Sequence, residues 1–138
     1  MEYKYGEFVI SDDKSLIQAD CVYELLSDTY WAKNYAKETV LKSIENSYCF
    51  GIYKDKRLIG FARCITDFFT IYYLADVIID DNYRGHGLGK ALVKFITEHE
   101  KFSSLIGVTE TKDAHGLYEK FGFQISKGYA MRKHFNVT

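Results

Sequence analysis

The sequence predicts a mixed α/β domain, in which a central and mostly antiparallel sheet is flanked by about four helices. Strand-like segments dominate the middle of the chain, and segments with a helical apolar period lie on both sides of them. One long apolar segment also runs directly into a glycine-rich turn and the start of a helix. With 138 residues, of which 47% are hydrophobic, the chain is expected to form one domain over residues 1–138.

The first third of the chain is expected to contain one strand and two helices. Residues 2–10 alternate loosely between apolar and polar side chains, which predicts a strand. Residues 11–13 offer an N-cap, and apolar residues follow at helical spacing, namely Ile17, Cys21 and Leu25. A break at residues 27–31 separates this helix from a second one, which is predicted over residues 37–46.

The remaining two thirds are expected to complete the sheet and cover it. The predicted strands are residues 48–53, 58–66, 71–80, 104–108, 123–125 and 129–135. The predicted helices are residues 87–99 and 113–121, with Asp113 as the N-cap of the second and Gly122 as its stop.

Composition excludes several classes of protein. The formal net charge of −1 provides no basic field for nucleic acid, and no apolar run is long enough to span a membrane. Three widely spaced cysteines suit buried thiols and predict neither a disulfide framework nor a zinc site. We therefore expect a soluble, cytoplasmic protein without a metal site, with no nucleic acid and no membrane among its partners.

The glycine-rich turn after residue 80 predicts a phosphate site. Glycines at positions 85, 87 and 89 bare the backbone at a helix start, where unpaired N–H groups and the helix dipole attract anions. A Walker A loop would need a hydroxyl residue after Lys90, and a dinucleotide fingerprint would need glycine at position 90. The remaining pattern is Arg84-x-x-Gly87-x-Gly89, and the alternative is a turn that only joins a strand to a helix.

A second motif, at residues 114–123, can be compared with known families together with this turn. Residues 114–123 read Ala-His-Gly-Leu-Tyr-Glu-Lys-Phe-Gly-Phe, about 30 residues after the glycine turn. Together, in this order and on these elements, the two motifs resemble those of the GNAT superfamily of acyl-CoA N-acyltransferases. The resemblance covers roughly residues 47–125, and the first 46 residues follow the family only in the predicted order of elements.

The resemblance implies a sheet that splays between the fourth and fifth predicted strands, residues 71–80 and 104–108. It implies acetyl-CoA as co-substrate and no metal. Its pantetheine arm would pair with the backbone of Val77, Ile78 and Ile79. Its diphosphate would lie on the loop and helix start, which comprise Arg84, Gly85, His86, Gly87, Leu88, Gly89 and Lys90.

The resemblance also implies roles at the thioester. The backbone N–H of Val77 would bind the thioester carbonyl, and Tyr118 would protonate the leaving thiolate as general acid. Asp76 is a candidate base or substrate anchor, or else a structural partner for Arg63 on the neighbouring strand. Tyr30 and Trp31 lie where this family shapes its acceptor site, although packing of the helices onto the sheet is the more common role for a residue such as Trp31.

We therefore expect an N-acetyltransferase that moves an acetyl group to a primary amine by direct attack in a ternary complex. The acceptor would be a small-molecule amine or a protein lysine. The sequence shows no acidic cluster that would indicate a polycationic acceptor. Homodimers are common in the family, so the chain could form one. The alternatives are a catalytically inactive module that binds coenzyme A as a sensor or regulator, and an unrelated nucleotide-binding domain.

Overall fold

A single six-stranded sheet in the order β1-β2-β3-β4-β5-β6 organises the computed structural model, which describes residues 1–134. The strands are β1 Glu2–Tyr5, β2 Phe8–Ser11, β3 Tyr48–Lys54, β4 Arg57–Thr66, β5 Ile71–Ile79 and β6 Ile106–Thr109. The helices are α1 Ala19–Ser27, α2 Lys37–Glu45, α3 Leu88–Thr97 and α4 His115–Glu119, with short 3-10 turns at Lys14–Leu16 and Asp81–Tyr83. All neighbouring strands are antiparallel except β5 and β6, which confirms the predicted mixed fold class.

The sheet is covered by helices on both faces, so its central strands are apolar on both sides. Helices α3 and α4 cover one face, over a core that includes Phe50, Ile52, Ile59, Leu74, Leu92 and Ile96. Helices α1 and α2 cover the other face, over a core that includes Val22, Leu26, Val40, Ile44 and Phe61. This arrangement places the ends of β5 and β6 between the two helical layers.

Strands β5 and β6 separate halfway along β5. Their parallel pairing begins at Ile71 with Ile106 and ends at Leu74 with Thr109. The rest of β5 pairs, among the described residues, only with β4. This opening is the splay that the sequence predicts between the fourth and fifth predicted strands.

A β-bulge interrupts β5 at the same level. The register against β4 shifts between Phe61 and Arg63, and Asp76 has a φ angle of 56°. Before the bulge, Tyr72 and Leu74 belong to the core under α3, whereas after it Val77 and Ile79 pack against that core. The extra residue of the bulge reverses the alternation of the strand. Even-numbered residues therefore face this core before the bulge, and odd-numbered residues face it after the bulge.

The N-terminal strand prediction was wrong in one respect. Residues 2–10 form parts of two antiparallel strands, β1 and β2, because Gly6 adopts a φ of 60° and turns the chain between them. The predicted N-cap Asp13 caps the 3-10 turn at Lys14–Leu16 through its side chain, and α1 begins only at Ala19. The other predicted cap, Asp113, was also wrong, because α4 begins at His115 after Ala114.

The predicted closing strands are absent from the described part of the chain. Residues 123–125 and 129–134 form no strand, and Phe135, the last residue of the second prediction, lies outside the described residues. Within residues 1–134, β6 is consequently an edge strand, with Ile106 66% exposed. None of the described helices is both long and apolar enough to cross a membrane.

His99, which the sequence gives no partner, is buried in a polar cluster beneath the end of α3. Its Nε2 lies 2.7 Å from an Asp12 carboxylate oxygen, and its Nδ1 accepts a hydrogen bond from the Lys101 N–H. The Tyr48 hydroxyl and the amine of Met1 also donate to Asp12. Burial of His99 is tolerated because both ring nitrogens are hydrogen-bonded.

Candidate active site

The glycine loop, which comprises residues 84–90, presents free backbone donors at the start of α3. Gly85 and Gly87 have φ angles of 87° and 75°, a region that favours glycine. Gly87 is the N-cap of α3, and no side chain caps the helix there. Among the described residues, the backbone N–H groups from residue 85 to residue 90 have no hydrogen-bond acceptor. A phosphate or diphosphate suits these donors and the positive end of the helix dipole.

The β1–β2 hairpin contacts this loop through side chains that help to hold it in place. The Tyr5 hydroxyl donates to the His86 carbonyl oxygen at 3.0 Å, and the ring of Phe8 packs edge-on against the His86 ring. The His86 Nδ1 lies 3.0 Å from the Tyr83 carbonyl oxygen. His86 is therefore held as part of the loop scaffold, although its side chain is exposed. Sequence spacing carries no signal for this contact, because Tyr5 and His86 are 81 residues apart.

The open edge of β5 presents the next set of donors. Asp80 donates its N–H to the Ile59 carbonyl oxygen of β4 at 2.8 Å. Successive residues of a strand direct their N–H groups to alternate edges, so those of Val77 and Ile79 point away from β4. That edge faces the opening, because the β6 ladder has already ended at Leu74. Val77, Ile78 and Ile79 are accordingly only half-buried, although β5 is an inner strand.

A cavity of about 540 Å³ opens beside the end of β5 and is referred to below as the Trp31 cavity. Its lining includes Tyr30, Trp31, Ile78, Ile79, Arg84 and Asp113. The structure thus brings two residues predicted for the acceptor together with three predicted for the coenzyme. Tyr30 and Trp31 pack edge to face, with ring centroids 5.0 Å apart, and 40% of Trp31 remains exposed.

Charged side chains of both signs line the Trp31 cavity, and Arg57 and Arg84 are the cations among them. Glu24, Asp28 and Asp113 line it, and none of the three forms an ion pair within the described residues. They are spread over about 90 positions of the chain, so no local charge pattern could reveal them. Arg84, also in the lining, is paired with Asp81 at 2.9 Å.

Asp76 uses both carboxylate oxygens inside the protein. One oxygen accepts a hydrogen bond from the Trp31 indole N–H at 2.8 Å, and the other from the Arg63 Nε at 2.6 Å. Arg63 also donates to the Ser47 hydroxyl at 3.2 Å. The side chains of Arg63 and Asp76 are 15% and 8% exposed. This is the geometry of the structural alternative for Asp76, and it adds a partner, Trp31, that the sequence did not indicate.

Tyr118 lies on α4, buried against the sheet at the end of β6. Burial raises the pKa of its hydroxyl above the usual value for tyrosine, and the Thr109 hydroxyl partly opposes this. Nearby Tyr30 and Asp113 raise the pKa further, and both of them line the Trp31 cavity. Tyr118 is therefore protonated at neutral pH, which is the form that can donate a proton.

Two other cavities border parts of the candidate site. One of about 720 Å³ is bounded by residues 102–111 and 118–130, where no described strand covers β6. Tyr118 and Thr109 belong to its wall, but the glycine loop does not. A smaller one of about 270 Å³ lies between β1 and α3, beside Gly87 and Lys90. Within residues 1–134, no group of three or more His, Cys, Asp or Glu side chains could hold a metal ion.

Comparisons with known proteins agree with this geometry. A family model described as the acetyltransferase (GNAT) family matches residues 19–123. A solved structure of a Xanthomonas campestris protein of the GNAT family is 35% identical, with a TM-score of 0.89 over 95% of each chain. A Gibberella zeae protein named as an acetyltransferase is 26% identical in a match that covers 67% of this chain and 64% of that protein. The histone acetyltransferase TAP1 of Glycine max is 43% identical over 86 residues, which are 61% of this chain and 37% of that protein. The chain thus spans less than two thirds of the length of these curated relatives.

Proposed function

The chain belongs to the acetyltransferase (GNAT) family, and on that premise we propose that it transfers an acetyl group from acetyl-CoA to a primary amine. The neutral form of the amine attacks the thioester carbonyl directly while both substrates are bound. The new C–N bond replaces the C–S bond, and the nitrogen loses its proton to water. Holding two reactants together converts a bimolecular step into an effectively unimolecular one.

The observation that carries this proposal is the row of unpaired backbone donors around the glycine loop. The N–H groups of residues 85–90 have no acceptor among the described residues, and the positive φ of Gly87 leaves the backbone open to close approach. These groups bind the diphosphate of coenzyme A, with Arg84 at the loop entrance. The open β5 edge next to the loop then receives the amides of the pantetheine arm through the backbone of Val77 and Ile79, whereas that of Ile78, between them, faces β4.

The thioester lies beside the β-bulge in this arrangement. The Val77 N–H donates to the thioester carbonyl oxygen and stabilises the negative charge that develops there during attack. Its orientation toward the opening supports this role, because no described strand pairs with that edge of β5 beyond Leu74.

Tyr118 supplies the proton for the departing thiolate of coenzyme A. Its raised pKa keeps the hydroxyl protonated at neutral pH. The tyrosinate that remains after donation is more basic than the thiolate, because a free thiol has a pKa of about 8.5, and it regains its proton from water. Proton transfer from Tyr118 to the thiolate prevents the reverse attack on the new amide.

The acceptor enters past Tyr30 and Trp31, whose exposed rings line the cavity beside the end of β5. The carboxylates of Glu24, Asp28 and Asp113 attract an ammonium group to this side of the protein. A small-molecule amine and a protein lysine both satisfy these features. The similarity to a histone acetyltransferase of Glycine max supports the inclusion of lysine.

A coupled assay tests the proposal directly. Purified protein is mixed with acetyl-CoA and a panel of primary amines and lysine peptides, and thiol release is followed. Amine-dependent release, with the acetylated amine identified by mass spectrometry, supports the proposal. Tight acetyl-CoA binding without turnover on any amine would instead favour a coenzyme A sensor or regulatory module, which is the alternative function.

A further inference from the structure

We infer that Asp76 is a positioning residue that fixes the indole of Trp31 as one wall of the amine site. The inference rests on the proposed function and specifies how that same site receives its acceptor. Trp31 contacts the acceptor, and Asp76 acts through Trp31 without touching the reacting atoms.

The β-bulge turns the Asp76 carboxylate toward Trp31. Arg63 pairs with Ala75 across the ladder, so a regular strand would place the side chain of Asp76 on the opposite face from Arg63. The φ of 56° at Asp76 instead returns its carboxylate to Arg63's face, where it meets both Arg63 and Trp31. Asp is one of the few side chains that tolerate this backbone region, and such outliers persist where the surroundings hold them.

The carboxylate is fully engaged, which argues against its acting as the base. Each oxygen accepts from a different donor, and one of these donors is a guanidinium 2.6 Å away. A base must present a carboxylate oxygen to the amine, whereas both oxygens of Asp76 face donors of the protein and its side chain is only 8% exposed. A side chain held by two donors is instead well suited to orient one of them.

The edge of the Trp31 indole is fixed while its ring remains available. The N–H edge is bound to Asp76, and 40% of the side chain is exposed. On the same loop, the Tyr30 hydroxyl accepts a hydrogen bond from the Lys112 N–H at 3.2 Å. The loop is thus attached to both sides of the splay, and its indole forms a fixed wall on which an alkyl amine can pack its methylene groups.

The chain contains a single tryptophan, so its fluorescence reports on this contact alone. We expect Asp76→Asn to red-shift the emission and lower its anisotropy, because an amide oxygen cannot serve both donors and the indole gains freedom. Tyr35→Phe is the matched control, since Tyr35 lies on the same loop, is 50% exposed and has no side-chain hydrogen bond among the described residues. Emission of Asp76→Asn identical to that of wild type and Tyr35→Phe would overturn the inference.

Steady-state kinetics with the best amine of the panel test the functional part. Trp31→Phe keeps an aromatic ring but removes the indole N–H, and it leaves the Asp76–Arg63 pair intact. We expect Asp76→Asn and Trp31→Phe each to raise KM for the amine by about tenfold or more, the scale of one lost hydrogen bond to a charged group, with KM for acetyl-CoA unchanged.

The double variant separates positioning from a general loss of structure. If Asp76 acts through Trp31, adding Asp76→Asn to Trp31→Phe raises the amine KM no further. Additive effects, or an effect on the acetyl-CoA KM, would overturn the inference. Failure of the proposed function is seen separately, as wild-type protein that binds acetyl-CoA but acetylates no amine.

Discussion

The hydroxyl of Tyr118 is the single group whose removal tests the proposed proton transfer. We expect Tyr118→Phe to lower kcat by about a hundredfold or more, the usual contribution of a general acid, because the thiolate then leaves unprotonated. The dissociation constant of acetyl-CoA should hardly change, since the hydroxyl contacts the thioester sulfur only during the reaction. Thiol-release kinetics and calorimetric titration measure the two quantities. Unchanged kcat would remove Tyr118 from the mechanism.

Gly87 tests the loop through its backbone conformation. With φ at 75°, a valine is strained there, and its Cβ would also lie 2.7 Å from the Tyr5 hydroxyl. We expect Gly87→Val to abolish acetyl-CoA binding, as measured by titration. Gly128→Val is the matched control, because Gly128 has a similar φ of 77° in open space, away from the loop and from the β1–β2 hairpin. It should lower stability and retain binding, and equal losses of binding in both variants would refute the assignment.

The pKa of Asp12 predicts how the free energy of unfolding changes at low pH. Burial alone would raise its pKa, but hydrogen bonds from the N-terminal amine, Tyr48 and His99 outweigh this and lower the pKa to about 2. A carboxyl whose pKa is depressed in the folded state stabilises the protein above its unfolded pKa of 3.8, and this stabilisation disappears as the pH falls toward 2.

Denaturant unfolding at pH 5 and at pH 2.5 measures this effect. We expect Asp12→Asn to lower the free energy of unfolding at pH 5 and to reduce the loss between the two pH values. Asp20→Asn is the control, because the Asp20 side chain is 79% exposed in a surface pair with Lys37. If Asp12→Asn shows the same loss with pH as wild type, the cluster around His99 does not stabilise the fold in this way.

At the scale of elements, local sequence patterns predicted the strands, helices and turns whose formation depends mainly on residues close to one another in the chain. Apolar periodicity predicted the strands β3, β4 and β5 and the helices α2 and α3. Glycines that need positive φ predicted the turn between β5 and α3. The turn of the glycine loop and the helix start after it could be predicted, because their residues are consecutive in the chain, whereas the contact of His86 with Tyr5 could not.

Features that depend on distant partners could not be predicted in this way. The bulge at Asp76 shows no glycine, and its φ of 56° is held by Arg63 and Trp31 from other elements. His99 has an ordinary helical spacing, and only its contact with Asp12, 87 residues away, explains its burial. The strands predicted over residues 123–125 and 129–134 had the right composition, but composition alone does not determine pairing.

The β1–β2 hairpin is expected to support the glycine loop through one hydrogen bond, and removing that bond tests this role. We expect Tyr5→Phe, which removes the hydroxyl bonded to the His86 carbonyl oxygen, to weaken acetyl-CoA binding about two- to tenfold, as for one neutral hydrogen bond. Titration calorimetry measures it. Tyr3→Phe is the control, since Tyr3 has no side-chain hydrogen bond among the described residues and contacts Tyr5 only through its ring. Equal affinity of Tyr5→Phe and Tyr3→Phe would show that the hairpin does not brace the loop.

For the molecule as a whole, the two helical layers approach each other where β5 separates from β6. The glycine loop belongs to α3 on one face, and the Trp31 loop joins α1 to α2 on the other. The opening of β5 from β6 lies between them. A ligand that contacts the loop, the β5 edge and the Trp31 cavity therefore connects elements that the unfolded chain cannot bring together.

This connection predicts a selective stabilisation of the whole fold. Coenzyme A at about 100 times its dissociation constant should raise the free energy of unfolding by roughly 2.7 kcal/mol, because it binds the folded state only. A thermal-shift experiment should show a rise of several degrees in Tm with coenzyme A and acetyl-CoA. ATP and NAD should give little, since they lack the pantetheine arm for the β5 edge. An equal rise with ATP would favour a general nucleotide-binding domain, and Gly87→Val, which lacks the open loop, should show no rise with any of the four.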